Sequence, residues 1–425
     1  MAVPSLLHSV IFLSLYLTST NYAAVVPKRT TLQLFHVNSP FHTKPDPLSW
    51  DELQSKDQAR LNYLVSLVTR KSLPIASGRQ QVVQSPTYVI RASVGTPPQS
   101  FLMALDTSND AAWVPCGGCE GCPLTVFSSE NSTSYKILDC QDIHCQQVPS
   151  PFCATGSCSF NVTYGGSIVS ANLSQDTVNL GGDDIPGYTF GCIKKITGPS
   201  SIPSQGLLGL GRGPLSLVSQ SQNLYQSTFS YCLPSYKALN FSGSLWLGPV
   251  GQLKKIKYTP LLKNPKRSSL YYVNLVAIKV GRKIVGIPPS ALAFNATTGA
   301  GTIIDSGTVF TRLVQPVYEA VRDEFRRRMG PTANVTTLGG FDTCYNVPIT
   351  IPSIVLVFDG LNVSLPQDNF LIRSSSGSIS CLAMAASPNN VNSVLNVIAS
   401  FQQQNNRYIF DIPNNRLGIT RQACS

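Results

Sequence analysis

Histidine is almost missing from this chain: four occur in 425 residues, and past the amino-terminal segment only His144 remains, inside a cysteine-dense loop. A Ser-His or Cys-His nucleophile therefore lacks its base, and no G-x-S-x-G supplies a serine elbow. H-E-x-x-H is absent as well, which removes the zinc-helix hydrolases. Charge is sparse, at 12% of residues, and its surplus of 32 Lys and Arg over 21 Asp and Glu is spread out. The densest basic cluster, Arg326-Arg327-Arg328, falls on a predicted helix. With no aromatic-interleaved basic patch, a solvated surface is the better account and nucleic acid is not expected. Such a surface would still attract polyanions, acidic polysaccharide among them. Long apolar runs are lacking too. Leu6–Leu17 is too short to span a bilayer and is followed by small and polar residues, which fits a signal peptide over residues 1–24 cut near Ala23 or Ala24. No Lys or Arg precedes that run, so an unusual anchor is the alternative. No later stretch is long and apolar enough for a membrane helix.

Cysteine is absent before position 116 and frequent after it: Cys116, Cys119, Cys122, Cys140, Cys145, Cys153, Cys158, Cys192, Cys232, Cys344, Cys381 and Cys424. An even count in a chain expected to be exported reads as disulfides. The spacing Cys116-x-x-Cys119-x-x-Cys122, with Cys140, His144 and Cys145 near, leaves a zinc knot as the competing reading. Seven N-x-[ST] acceptors agree with export: Asn131, Asn161, Asn172, Asn240, Asn295, Asn334 and Asn362.

Residues 25–77 contain neither cysteine nor acceptor. Ser49-Trp50-Asp51-Glu52 opens a helical pattern with Leu53, Leu61, Leu64, Val65 and Val68 on one face, closed by basic residues. The expectation is a pro-segment with its end left open; an extra domain helix is the alternative. The body that follows reads as short β-branched runs between Gly, Pro and Asn clusters, such as Thr177–Leu180, Ser244–Leu247 and Ile354–Phe358. Helix is expected at Leu215–Leu224 and, more clearly, at Pro316–Met329, where Val317, Val321 and Phe325 recur every four residues.

Within that body the chain echoes itself. An apolar run ends on Asp106-Thr107-Ser108 and a second ends on Asp305-Ser306-Gly307-Thr308. Each is followed later by two aliphatics and a small residue, Leu207-Leu208-Gly209 and Val397-Ile398-Ala399. Thr87–Val94 finds a counterpart in Tyr272–Gly281. This half-chain repeat predicts two similar lobes, each ending a buried strand on one carboxylate. The expected lobes are 78–248, carrying the cysteine-rich insertion, and 249–425. The glycines of Gly206–Gly213 lack the Lys-Ser/Thr of a phosphate loop and read as a tight turn.

Several motifs in this order carry a resemblance. They are Gly95-Thr96-Pro97-Pro98-Gln99, Asp106 with Trp113, the cysteine-rich insertion, Tyr164-Gly165, the glycine run from Gly206, Asp305-Ser306-Gly307-Thr308, Gln402–Asn405 and Phe410–Gly418. Across Tyr88–Ser425 the chain resembles the pepsin-type aspartic peptidases, most closely their plant nepenthesin-like branch. The resemblance implies a mainly β, two-lobed double barrel with a central cleft and few short helices. It implies that Asp106 and Asp305 hold one water and share one proton, since carboxylates about 3 Å apart cannot both ionise readily. Thr107 and Ser306 would brace the two loops, while Asn109 and Thr308 would hold the outer carboxylate oxygens, beside Ser108 and Gly307. Tyr164 and Gly165 match the flap that closes on substrate, with Trp113 as the hydrogen-bond partner of Tyr164.

The function so implied is a secreted, acid-active aspartic endopeptidase made as a zymogen, a glycoprotein of the apoplast or cell wall. It would act on peptides as a monomer, free of the membrane after signal cleavage, with no metal or organic cofactor. Three departures bear on activity: Ser108 in place of the family glycine, a flap one residue shorter, and Ala399-Ser400 in place of Gly-Asn. They keep open a weak or silent cell-wall relative with a binding or inhibitor role. By the same analogy the expected disulfides are Cys116–Cys119, Cys122–Cys192, Cys140–Cys158, Cys145–Cys153, Cys232–Cys424 and Cys344–Cys381.

Overall fold

Two-residue alternation of apolar and polar side chains makes strands that bury one face. In Ser167–Leu180 nearly every second residue is buried, and the strand pairs antiparallel with Ser157–Tyr164 on one side and Asp183–Thr197 on the other. The computed structural model describes residues 30–36, 50–69, 82–83, 88–122, 125–164, 167–198, 200–235, 243–253, 256–331, 333–346, 350–374, 376–388 and 394–424. The expected signal peptide, flap residue Gly165 and Asn240 lie outside these, as do the side chains of Val65 and Val68.

The architecture is mainly β and two-lobed, as the internal echo requires. In the first half Gln99–Asp106 runs parallel to Leu207–Gly209, with Gly209 opposite Asp106, while Leu207 faces Trp113 on the antiparallel side. In the second half Gly301–Ile304 runs parallel to Leu395–Ile398, and Val397 faces Arg312 on the antiparallel side. Each aspartate is thus preceded by buried strand residues: Ala104 and Leu105 before Asp106, Ile303 and Ile304 before Asp305. The expected Tyr272–Gly281 strand is broken in two. Tyr272–Val273 pairs with Gly301–Ile304, and Leu275–Val280 pairs with Ile354–Phe358 in a separate sheet.

A central sheet joins the halves. Thr228–Cys232 lies between Gly243–Leu247 and Asn406–Asp411, and Arg416–Arg421 links the latter to Tyr258–Leu262. Phe229 stacks on Phe410 with ring centroids 4.5 Å apart. Thr30–His36, from the amino-terminal segment, is a strand of this same system, antiparallel to Gly243–Leu247 on one side and to Tyr88–Val94 on the other.

The helix at Gln315–Met329 follows the expected four-residue repeat, burying Val317, Val321 and Phe325. Pro316 sits in its first turn, where no N–H is needed, and Arg326, Arg327 and Arg328 occupy its last turn, where the helix dipole favours cations. The expected helix over Leu215–Leu224 is instead two single turns, Leu217–Gln220 and Gln222–Tyr225. Ser216 caps the first through its side chain, and Ser221, with φ −106° and ψ 22°, breaks the run.

The disulfides correct four of the expected pairings. The structure joins Cys116–Cys192, Cys119–Cys122, Cys140–Cys153 and Cys145–Cys158, together with Cys232–Cys424 and Cys344–Cys381. The parallel register that sets Cys192 opposite Val114 brings it beside buried Cys116, with Cα atoms 5.5 Å apart. Cys119 and Cys122 then close their own turn. In the insertion, buried Cys145 meets buried Cys158, leaving Cys153, on the exposed side of its hairpin, for Cys140. The sulfurs that the spacing would offer to zinc are all used. Among the described residues no group of three His, Cys, Asp or Glu could hold a metal.

Candidate active site

The two Asp-containing turns meet across the lobe boundary. Thr107 N–H donates to Ser306 Oγ at 3.2 Å and Ser306 N–H donates to Thr107 Oγ1 at 3.0 Å, a reciprocal pair between residues far apart in the chain. Ser306 Oγ also donates to Leu105 C=O at 3.1 Å. Behind the second turn, Gln403 Nε2 donates to the carbonyls of Asp305 and Ile398 while its own Oε1 accepts from Tyr231.

Each carboxylate is held on two sides. Asp106 Oδ1 accepts Ser108 N–H at 2.8 Å and Oδ2 accepts Asn109 Nδ2 at 2.7 Å. Asp305 Oδ1 accepts Gly307 N–H at 3.0 Å and Oδ2 accepts Thr308 Oγ1 at 2.5 Å. The residues expected to support the dyad are therefore brought to it. Ser108 differs from its counterpart Gly307 without strain, because its φ is not positive. Its hydroxyl donates to Asp106 Oδ1 at 3.1 Å. A Cβ on Gly307, by contrast, would lie 2.9 Å from Asp106 Oδ2.

Trp113 and Tyr164 pack edge to face with centroids 5.6 Å apart, both buried. The glycine run is not one tight turn: Leu207–Gly209 is a strand, and only the stretch after it bends, where Gly213 N–H donates to Asp110 Oδ1 at 2.7 Å and Ser269 Oγ donates to the other oxygen of that carboxylate. Asn131, Asn161, Asn295, Asn334 and Asn362 are exposed, whereas Asn172 is half-buried and accepts from Ser159 Oγ.

The sequence reading missed what fills the site. The helix Trp50–Thr69 of the amino-terminal segment lies over it and drives Arg60 into the dyad. Arg60 Nη2 donates to Asp106 Oδ1 at 2.6 Å, to Asp305 Oδ1 at 3.1 Å and to Ser108 Oγ at 2.5 Å, and Nε donates to Asp305 Oδ2 at 3.3 Å. The guanidinium also sits 5.6 Å from the centroid of the Tyr164 ring. Burial alone would lower the Arg60 pKa, but the charges of Asp106, Asp305 and Tyr164 hold it well above the ordinary value. Burial would raise the Asp106 pKa; the Arg60 charge and hydrogen bond, with the Ser108 and Asn109 donors, hold it below the carboxylate range instead.

One turn earlier Asp57, 1% exposed, accepts the N–H groups of Val309 at 2.7 Å and Phe310 at 2.5 Å. Desolvation pushes its pKa up to about 6 against the Arg312 charge and these two donors. Arg312 donates to Gln54 C=O at 3.0 Å and to its side-chain oxygen. On the helix's apolar face Leu61 and Leu64 pack with Leu270, Tyr272, Ile303, Leu395 and Val397, and Trp50 meets Phe310. A signal was present: Asp57, Arg60, Leu61 and Leu64 fall at three- and four-residue steps, so two charges lie on the apolar face. Charges on a buried face need partners, and the dyad is one.

The chain is similar to known proteins. Family models described as "Xylanase inhibitor N-terminal" and "Xylanase inhibitor C-terminal" match residues 88–249 and 270–421. "Aspartyl protease AED3" of Arabidopsis thaliana is 51% identical over 88% of this chain and 85% of its own. "Aspartyl protease 25" of Oryza sativa subsp. japonica is 45% identical over 93% and 94%. "Aspartic proteinase nepenthesin-1" of Nepenthes gracilis is 34% identical over 79% and 78%. Among solved structures, basic 7S globulin from soybean matches in fold with a TM-score of 0.65, at 19% identity, covering 94% of this chain and 98% of that one.

Proposed function

Because the chain belongs to the plant pepsin-type aspartic peptidase family, we propose that it is a secreted endopeptidase that cuts peptide bonds at acidic pH and is made as a zymogen. The observation that carries this is the pair Asp106 and Asp305, each held by two donors and both reached by one Arg60 nitrogen. With Arg60 gone, the same two carboxylates share one proton. The ionised one takes a proton from a water as that water attacks the peptide carbonyl. The protonated one donates to the carbonyl oxygen, so the tetrahedral product forms without a covalent link to the enzyme. Tyr164 and Trp113 form the wall against which substrate closes. Peptides or proteins are the substrates, and the six disulfides and exposed Asn acceptors fit a glycoprotein of the apoplast or cell wall.

Latency follows from the same geometry. A guanidinium neutralises the site and occupies the place of water and carbonyl, and two apolar side chains, Leu61 and Leu64, seal one flank. The intact cradle on both aspartates favours catalysis over a silent binding role: a binding protein has no use for four residues that donate to two carboxylates. The test is digestion of a mixed peptide library at several pH values, with and without a statine-type transition-state analogue. Cleavage confined to acid and blocked by the analogue is expected. Asp106→Asn and Asp305→Asn should each abolish it while the protein still folds and is exported. Cleavage by either variant near the wild-type rate, or a maximum above neutral pH, would overturn the mechanism.

A further inference from the structure

The second lobe contains a cavity of about 850 Å³ that shares no residue with the dyad or its covering helix. That volume lies in the range of sites that enclose a small organic ligand. Its walls differ in chemistry. Met329, Ile351 and Pro352 offer apolar surface, Asn334 and Asn346 offer amides, and Arg282 and Arg328 offer guanidinium groups.

The basic wall is built for a charge it does not yet meet. Glu324 Oε1 accepts Arg328 Nε at 2.8 Å, which fixes the guanidinium and leaves both terminal nitrogens uncommitted among the described residues. Arg328 rests against Gly281, whose φ of +60° makes the turn that presents Arg282. A Cβ at Gly281 would stand 3.2 Å from Arg328 Nη1, so the glycine leaves room for that guanidinium next to the turn that carries Arg282. Arg282 itself is exposed and has no hydrogen bond or ion pair among the described residues. Glu324 also takes Arg327 and Lys283, so its single negative charge is more than spent and the cavity rim stays cationic.

Tyr345 lines the cavity while only 3% exposed, and its hydroxyl is sealed from solvent. Two cations, two amides and an apolar wall suit one chemical class. A pyranose bearing a carboxylate has an anionic group for the arginines, hydroxyls for the amides, and a C–H face for Met329, Ile351 and Pro352. We propose that this cavity binds a uronic-acid oligosaccharide, and that through it the protein attaches to acidic wall polymer independently of its peptidase chemistry.

The probe is trigalacturonic acid, titrated calorimetrically into the full secreted chain, with its methyl ester, inorganic phosphate and sulfate as comparisons. Binding of the acid and none of the ester is expected. Arg282→Gln should weaken it by about tenfold or more, the loss of a charge-assisted hydrogen bond, and Asn346→Ala by a smaller factor. Both variants should keep wild-type peptidase activity and melting temperature, since neither residue touches the dyad. Ester binding as tight as acid, phosphate binding as tight as the trimer, or unchanged affinity in both variants would each overturn the proposal. So would a wild-type chain that binds nothing until Asn334→Gln removes the acceptor at the rim, because the cavity would then seat the protein's own glycan.

Discussion

Replacing Arg60 by Gln tests the lock most directly. The variant keeps a polar side chain, shorter than arginine, but withdraws the cation that faces Asp106 at 2.6 Å and Asp305 at 3.1 Å. Removing one partner of a buried ion pair costs about 3–5 kcal/mol, because the remaining charge is left buried and unpaired. The sign with pH follows from Asp106, whose carboxyl is held below its ordinary value chiefly by the docked Arg60, with the Ser108 and Asn109 donors adding to it. The docked state therefore binds fewer protons than the open one. Closure is stabilised at higher pH and lost as pH falls and the freed dyad takes up its proton. At about 1.4 kcal/mol per pH unit for one proton, the loss moves the midpoint of opening up by about two to three and a half pH units. The assay is the pH dependence of binding of a fluorescent statine-type ligand, in a chain whose cleavage is blocked by Asp305→Asn in a parallel preparation to separate opening from self-processing. Arg60→Lys should recover part of the shift. A midpoint unmoved in Arg60→Gln would refute the claim that this cation holds the helix down.

Other outcomes follow from the neighbours of Arg60. Asp57 has its pKa pushed up to about 6 in the docked state, against about 3.9 when free, so acid favours docking on its account and opposes release; Asp57→Asn should make opening steeper between about pH 4 and 6. The same change leaves Val309 or Phe310 N–H unmatched, at about 1–3 kcal/mol, so opening should also begin at higher pH. Ser108→Gly removes a hydroxyl donor to Asp106 and an acceptor for Arg60. In the processed enzyme the acid-side activity should then extend toward neutrality, read as a higher upper pKa in the kcat/KM profile, with stability changed by only about 1 kcal/mol. Gly307→Ala puts a methyl against Asp106 and Arg60 and should lower kcat sharply while the melting temperature of the processed enzyme changes little.

The parts of the fold that were legible in the sequence are those set by local chemistry. Strand period, the paired echo at Asp106 and Asp305, and the four-residue repeat of Val317, Val321 and Phe325 each appear where short-range pattern and tertiary burial demand the same thing. The supports of the dyad were legible because they sit one to three residues from each aspartate. Cys232–Cys424 and Cys344–Cys381 are as expected, but the four pairings of the first half were not legible, since Cys116 reaches Cys192 through a parallel register that only the assembled sheet defines. Arg60 was overlooked for a related reason. Its apolar neighbours Leu61 and Leu64 marked a buried face, but the partner of a charge on that face lies far along the chain and declares itself only when the helix lands.

Thr30–His36 is more than a leader for that helix. It is stitched between Gly243–Leu247 and Tyr88–Val94, so excising it strips two interior strands of their ladder partners at once. Those strands then become open edges in search of a substitute. On the zymogen reading proposed above, maturation would remove a sheet strand together with the stopper. The lifetime of the processed molecule in acid would then be set by the height of its barrier to unfolding rather than by an equilibrium.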